Sequence, residues 1–261
     1  MRDEATAWQA LLALRREGGG VRTCAIPSEA SPHIAAMMDL YHPFAQRPSE
    51  QRLVVAHLGQ SLDGRIATMA GASRWVTGDA DLTHTHRMRA LADAIIVGAG
   101  TVRHDDPQLT VRRCAGEHPV RVVIDSERRL GVNYRVFQDD VAPTLVLAYA
   151  DHVRPGERLG QATLVGLPRR ADGIAPQDIV AALAASGCHF LFIEGGGITI
   201  SRFLVAGALD RLQIAVAPVL LGSGKPSLTL PEIREPHEGL RPRLRRFSLG
   251  QDMLYECIFH D

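Results

Sequence analysis

The sequence predicts an α/β fold, a mostly parallel sheet flanked by helices and closed by a C-terminal antiparallel hairpin. Three observations carry that prediction. Short apolar runs at 53–58, 94–97, 120–124, 144–148, 163–167, 190–193 and 212–216 each have the length of a buried strand. Helically spaced stretches at 79–91, 175–185 and 199–206 lie among them, and strands alternating with helices pair in parallel under helical cover. The last two runs, 244–249 and 253–259, flank Gly250-Gln251-Asp252 and read as a hairpin, which excludes the simplest doubly wound plan.

The first fifty residues differ from the rest. Residues 5–16 read as one helix with Trp8, Leu11, Leu12 and Arg15 on one face, stopped by Gly18-Gly19-Gly20. Pro27, Pro32, Pro43 and Pro48 punctuate the next stretch of chain, with room for a short helix near 34–40. Residues 1–50 are read as an extension lying against the main domain, residues 51–261. The helix at 175–185 is bounded by Pro176 in its first turn and Gly187 just past its end.

With 261 residues and 46% hydrophobic content, the chain can bury one large core. Lys+Arg and Asp+Glu both number 29, so no bulk field draws it to nucleic acid or a membrane. An anionic ligand must therefore be held by local groups. Cys24, Cys114, Cys188 and Cys257 are far apart, which argues for reduced thiols and against a disulfide framework. The N-terminus carries Arg2, Asp3 and Glu4 before a short apolar run, unlike a secretory signal, and no apolar stretch approaches the ~20 residues of a membrane span. A cytoplasmic location is expected. With no H-E-x-x-H motif, no Cys/His cluster, and His84 and His86 on different sides of a helix, no metal is expected.

Four segments can carry chemistry. At 190–199 a buried strand ends in Glu194, followed by Gly195-Gly196-Gly197 and a helix start with Thr199 and Ser201. Glycines let a backbone approach a phosphate closely, and a helix N-terminus offers unpaired N–H groups and about half a positive charge. At 94–102 a second strand enters a Gly98-x-Gly100 turn, but Arg103 occupies the place of the third glycine of G-x-G-x-x-G, and Asp125 is the downstream acid. At 103–112, Asp105-Asp106-Pro107 precedes Arg112, setting an acid and a phosphate clamp in one loop. At 61–67, Asp63-Gly64 marks a turn after the first strand.

In this order the segments SLDGRIA (61–67), SRWVTG (73–78), MRALADAIIVGAGTVRHDDPQLTVR (88–112), VRVVIDS (120–126), FIEGGGITISRFLVAGALD (192–210) and APVLLGSG (217–224) resemble the reductase domain of the bifunctional riboflavin-biosynthesis deaminase/reductase. The resemblance runs from about residue 52 to the C-terminus and implies a dihydrofolate reductase-like fold. It also implies NADPH-dependent reduction of the ribosyl side chain of 5-amino-6-(5-phosphoribosylamino)uracil to ribityl, and a homodimer. By resemblance, Ser73, Arg89, Leu109, Arg112 and Glu194 touch the substrate. Gly59, Trp75, Thr101, Asp105, Ser126 and the turn Gly196, Gly197, Ile198, Thr199, Ile200, Ser201 and Arg202 touch the nucleotide. Arg103, Arg128 and Arg129 are the cations considered for a 2′-phosphate.

Hydride transfer to the sugar C1′ works best on the ring-opened imine, so a proton must reach the sugar. Asp105 and Glu194 are the candidates, with help worth roughly 10²–10⁴ in rate. Many family members carry lysine where this chain has His57, four residues before Ser61. A histidine in that role predicts an acid-shifted pH optimum. Residues 1–50 lack the H-x-E and P-C-x-x-C ligands of the family's zinc deaminase, so reduction without deamination is expected. The alternatives are a reductase of the same fold acting on another pyrimidine or pteridine, and a non-catalytic nucleotide-binding module.

Overall fold

The computed structural model describes residues 3–18, 30–73 and 76–260. The chain opens with α1 (Glu4–Arg16) and α2 (Pro32–Ala45), then β1 (Leu53–Ser61), β2 (Arg65–Thr68), α3 (Asp79–Leu91), β3 (Ala94–Gly98), α4 (Ala99–Asp105), β4 (Val120–Ile124) and α5 (Arg135–Gln138). It continues through β5 (Thr144–Tyr149), β6 (Arg158–Leu159), β7 (Ala162–Leu167), α6 (Pro176–Ala185), β8 (Phe190–Glu194), α7 (Gly197–Val205), β9 (Arg211–Ala217), β10 (Gly224–Pro226), β11 (Arg243–Leu249) and β12 (Asp252–Ile258).

Ten strands form one sheet in the order β11-β12-β9-β1-β8-β3-β4-β5-β7-β6, and β10 pairs with β2 apart from it. Pairing is parallel from β9 to β7, while β12 joins β9 and β11 antiparallel, as the tail of the sequence predicts. After running outward through β3, β4, β5 and β7, the chain returns through α6 to lay β8 between β1 and β3. Such a reversal opens a crevice beyond the carboxyl ends of the strands, the usual place for a ligand in an open α/β sheet.

The period-2 alternation of the central strands sorts the core into two layers. Val55, Phe190, Phe192, Ile95 and Val97 face one cluster with α1, α2 and Met88 of α3. Val54, Ala56, Leu191, Ile193 and Ile96 face the other, with Ile179 and Leu183 of α6 and Ile200 and Phe203 of α7.

The N-terminal segment packs on a sheet face. The Trp8 indole donates to the Ala115 carbonyl at 2.8 Å, Phe44 stacks on Phe190, and Arg15 binds the Leu91 carbonyl and Asp93. The second helix is longer than the sequence suggests, because Pro43 lies close to its end. Proline removes the N–H that would reach the Asp39 carbonyl, and Arg245 of β11 donates to that oxygen at 2.8 Å instead.

Helix α3 carries a buried polar chain. The Tyr41 hydroxyl meets His84 Nδ1 at 2.8 Å, His84 Nε2 meets Gln213 Oε1 at 2.9 Å, and Gln213 Nε2 donates to Glu256 at 3.1 Å. Burial and the neighbouring His57 push His84 down to about 3, which suits a neutral ring that accepts from one side and donates on the other. Cys114, Cys188 and Cys257 are free thiols, and Cys24 lies outside the described residues. No described helix is long and apolar enough to cross a membrane, and no described His/Cys/Asp/Glu group could hold a metal ion.

Candidate active site

A cavity of about 540 Å³ opens at the carboxyl ends of β3, β4 and β8. Two helices begin on its wall, α4 after Gly98 and α7 after Gly196, and neither carries a side-chain cap. Their first N–H groups therefore remain available for an anion. The glycines after Glu194 each have a reason. Gly195 and Gly196 sit at φ 70° and 75°, where a side chain is strained. A Cβ on Gly197 would lie 2.3 Å from the Ser227 carbonyl oxygen. If the cavity takes the expected nucleotide, Gly197→Val weakens its binding at least tenfold. Fluorescence titration with NADPH checks this.

The structure brings Ser73, Thr101, Asp105, Ser126, Gly196, Gly197, Ile198, Thr199 and Arg202 to the cavity wall. Trp75 lies outside the described residues. Three expected nucleotide contacts face elsewhere. Ile200 is fully buried in the α6–α7 core, and Ser201 Oγ accepts the Thr229 N–H at 2.9 Å, because successive residues of a helix turn by about 100°. Gly59 is outside the wall, and a Cβ there would run into Thr77 and Asp81. Leu109 is 1% exposed and its side chain packs in the α1–α3 core, which leaves only its main chain for the expected substrate contact.

Asp105 and Asp106 diverge. Asp105 stays on the wall in the last turn of α4, a helix that the glycine-rich sequence reads as a turn. Asp106, at φ 40°, accepts the Arg135 backbone N–H at 2.8 Å. Asp125 is buried and caps its own turn by accepting the N–H groups of Arg129 and Leu130 at 3.0 and 2.9 Å, which removes it as a ribose ligand.

Beside the turn stands a charged cluster. Glu194 accepts both Nε (2.7 Å) and Nη2 of Arg89, whose Nη1 donates to the Thr110 carbonyl at 2.8 Å. Arg89 is thus a buried anchor for Glu194 before it is a phosphate clamp. Arg112 is the more exposed cation; it donates to Thr110 Oγ1 at 2.6 Å. Burial, Arg89 and Arg135 lower its basicity, so a bound dianion would relieve the repulsion. His86, missed in the sequence, accepts the Arg112 backbone N–H on Nδ1 at 2.9 Å. Burial, Arg89 and Arg112 push it down to about 4, which keeps that acceptor unprotonated. Its position three residues before Arg89 on one helix was the available signal.

His57 does not reach the cavity. It is the register partner of Glu194 but 3% exposed, stacked on Phe192, with Nε2 3.1 Å from Asp81. Strand alternation turns it toward α3, so direct proton donation to a substrate is corrected to a place in the core. Burial raises the Asp81 carboxyl, but the nearby His57 imidazole outweighs it and leaves the group below its ordinary 3.8. A lowered carboxyl adds stability above the unfolded value and loses it as pH falls through the folded one. Asp81→Asn is expected to cost about 3 kcal/mol at neutral pH, as for one partner lost from a buried pair. The deficit should shrink below pH 3.8 in denaturant titrations run against wild type.

Sequence reading also missed Lys225, His104 and the wall formed by Ile174 with Pro176 and Ile179 of α6. The wall carries Lys225 and Arg202, whereas Arg103, Arg128 and Arg129, the cations expected to meet a 2′-phosphate, lie off it.

The family model of the RibD C-terminal domain matches residues 52–253. The 2,5-diamino-6-ribosylamino-4(3H)-pyrimidinone 5′-phosphate reductase of Methanothermobacter thermautotrophicus is 34% identical over 217 residues, 78% of this chain and 96% of that protein. The riboflavin biosynthesis protein RibD of Aquifex aeolicus is 32% identical over 81% of this chain and 59% of its own length, so the chain spans little more than half of such relatives. Among solved structures, RibD of Acinetobacter baumannii superposes with a TM-score of 0.66 at 25% identity, over 86% of this chain and 62% of that one.

Proposed function

Because this chain belongs to the RibD C-terminal domain family, we propose that it reduces the ribosyl side chain of a ribosylaminopyrimidine 5′-phosphate to ribityl, with NADPH as the reductant. The single observation that carries this is the position of Glu194, at the strand end that leads into the glycine turn of the cavity wall. Glu194 holds Arg89 beside Arg112 on one side and begins the glycine turn of the cavity on the other.

The uncapped N-termini of α4 and α7 suit a pyrophosphate, and the apolar wall of Ile124, Ile174 and Ile179 suits flat rings. NADPH supplies a hydride when bound. Lys225 and Arg202 would hold its 2′-phosphate, which favours NADPH over NADH. Arg112 holds the sugar phosphate. Glu194, kept in one orientation by Arg89, exchanges a proton with the sugar as the ring opens, and Asp105 serves the nucleotide side of the cavity. The expected substrate, 5-amino-6-(5-phosphoribosylamino)uracil, differs from the diamino compound in the methanogen protein's name at one exocyclic ring group.

The test is NADPH oxidation with each phosphorylated pyrimidine, with the matching nucleoside lacking phosphate, and with dihydrofolate. Turnover that requires the phosphate supports the reading. Turnover of dihydrofolate alone, or tight NADPH binding without turnover, overturns it. Cytoplasmic placement and a homodimer are part of the same proposal, and the mass in solution decides the latter.

A further inference from the structure

A second cavity, of about 300 Å³, opens where the end of α2 meets the starts of β1 and β9. It lies at the opposite strand ends from the active site, since His57 and Glu194 pair four residues beyond Leu53, ~13 Å along β1. Among the described residues, its wall holds Arg47, Arg52, Arg211 and His260 against one carboxylate, Asp210. Asp210 is already engaged, accepting from Arg52 at 2.9 Å and from the Val54 N–H at 2.7 Å.

Two of the guanidinium groups are only partly hydrogen-bonded. Arg47 spends Nη1 on the carbonyls of Pro48, Ser49 and Gln51, but its Nε and Nη2 are buried without a hydrogen bond. Nη2 is 3.6 Å from Asp93, which Arg15 already holds. Arg211 likewise has Nε and Nη1 unpaired, with Nη1 3.5 Å from a Glu256 that Arg245 and Gln213 share. The Arg47 side chain is 3% exposed. A buried N–H without a hydrogen bond is costly, and here two arginines that line one cavity each keep such groups, beside a carboxylate shared with other donors.

We propose that this cavity binds a phosphoryl group of a small metabolite, held by Arg47, Arg52 and Arg211. One carboxylate is satisfied by a single bidentate arginine, whereas the three terminal oxygens of a phosphate match three guanidinium groups. Burial and the charge of Arg15 lower Arg47 to about 10, which leaves it charged at neutral pH. Because α2 supplies Pro43 to the wall and Gln46 and Arg47 come directly after it, binding ties the N-terminal segment to β1 and β9.

The experiment is calorimetry and thermal melting of the full chain with inorganic phosphate, against sodium chloride and malonate at equal ionic strength. Wild type is expected to bind phosphate in preference to both. Arg211→Gln and Arg52→Gln are expected to weaken it at least tenfold, and on the Arg112→Gln background, which removes the active-site phosphate contact, the same loss is expected from a binding component that persists. Arg52 is half exposed, so its variant carries the test should Arg211→Gln fail to fold. The proposal is overturned by phosphate binding no better than chloride or malonate, or by binding that Arg112→Gln abolishes and Arg52→Gln spares.

Discussion

Deleting residues 1–51 is expected to leave no soluble folded reductase domain. Trp8, Leu11, Leu12, Leu14, Ile34, Met37, Met38, Leu40, Tyr41 and Phe44 are all at most 5% exposed. At about 1.5–3 kcal/mol for each buried side chain, their contribution is of order 15–30 kcal/mol, above the 5–15 kcal/mol of a whole domain's stability. The deletion also bares Val55, Met88, Phe190 and Phe192, which share their cluster. An apolar face of that kind aggregates. Expression and melting of the fragment 52–261 check the point, and a soluble fragment with a native melting temperature contradicts it. The milder Trp8→Ala should cost about 3–5 kcal/mol, since the indole also loses its bond to the Ala115 carbonyl.

Glu194→Gln is expected to lower kcat by roughly 10²–10³ while the KM for NADPH changes little. The amide keeps the shape of the carboxylate but cannot take up a proton, and general acid–base help is worth roughly 10²–10⁴. It also turns one acceptor oxygen into an NH₂ group that faces an Arg89 donor. Some of the loss therefore comes from misplacement. Steady-state kinetics separate the two roles: a raised substrate KM marks lost positioning, and a lowered kcat marks lost proton transfer. An unchanged kcat would remove Glu194 from the chemistry.

Much of the fold and of the cradle is legible in the residues. Parallel strands buried on both faces read as apolar runs, and Gly195-Gly196-Gly197 between a strand and a helix marks the cradle on sequence alone. Side-chain direction is not legible. His57 pairs in register with Glu194 at the site, but alternation and the Asp81 partner on α3 draw it into the core. Ile200 and Ser201 fall within a matching motif, yet helix geometry turns them away. The α4 helix escapes sequence reading because seven residues with a glycine resemble a turn. Lys225 and the α6 wall reach the cavity only through tertiary packing, which local pattern does not encode.

The N-terminal segment shows the same limit. Its helix face and prolines are visible in the residues, and an edge-covering role is a natural expectation for it. It covers a sheet face instead, because Phe190 and Phe192 present that face to Phe44 and its neighbours.

The most direct measurement follows an isotope. NADPH carrying deuterium at the transferable position of the nicotinamide is incubated with the ribosylaminopyrimidine phosphate, and the product is read by mass spectrometry and NMR. A glycine cradle with Glu194 at the strand end beside it predicts one deuterium per product molecule, on the former C1′ of the sugar chain. Product without deuterium, or deuterium on the pyrimidine ring, contradicts it.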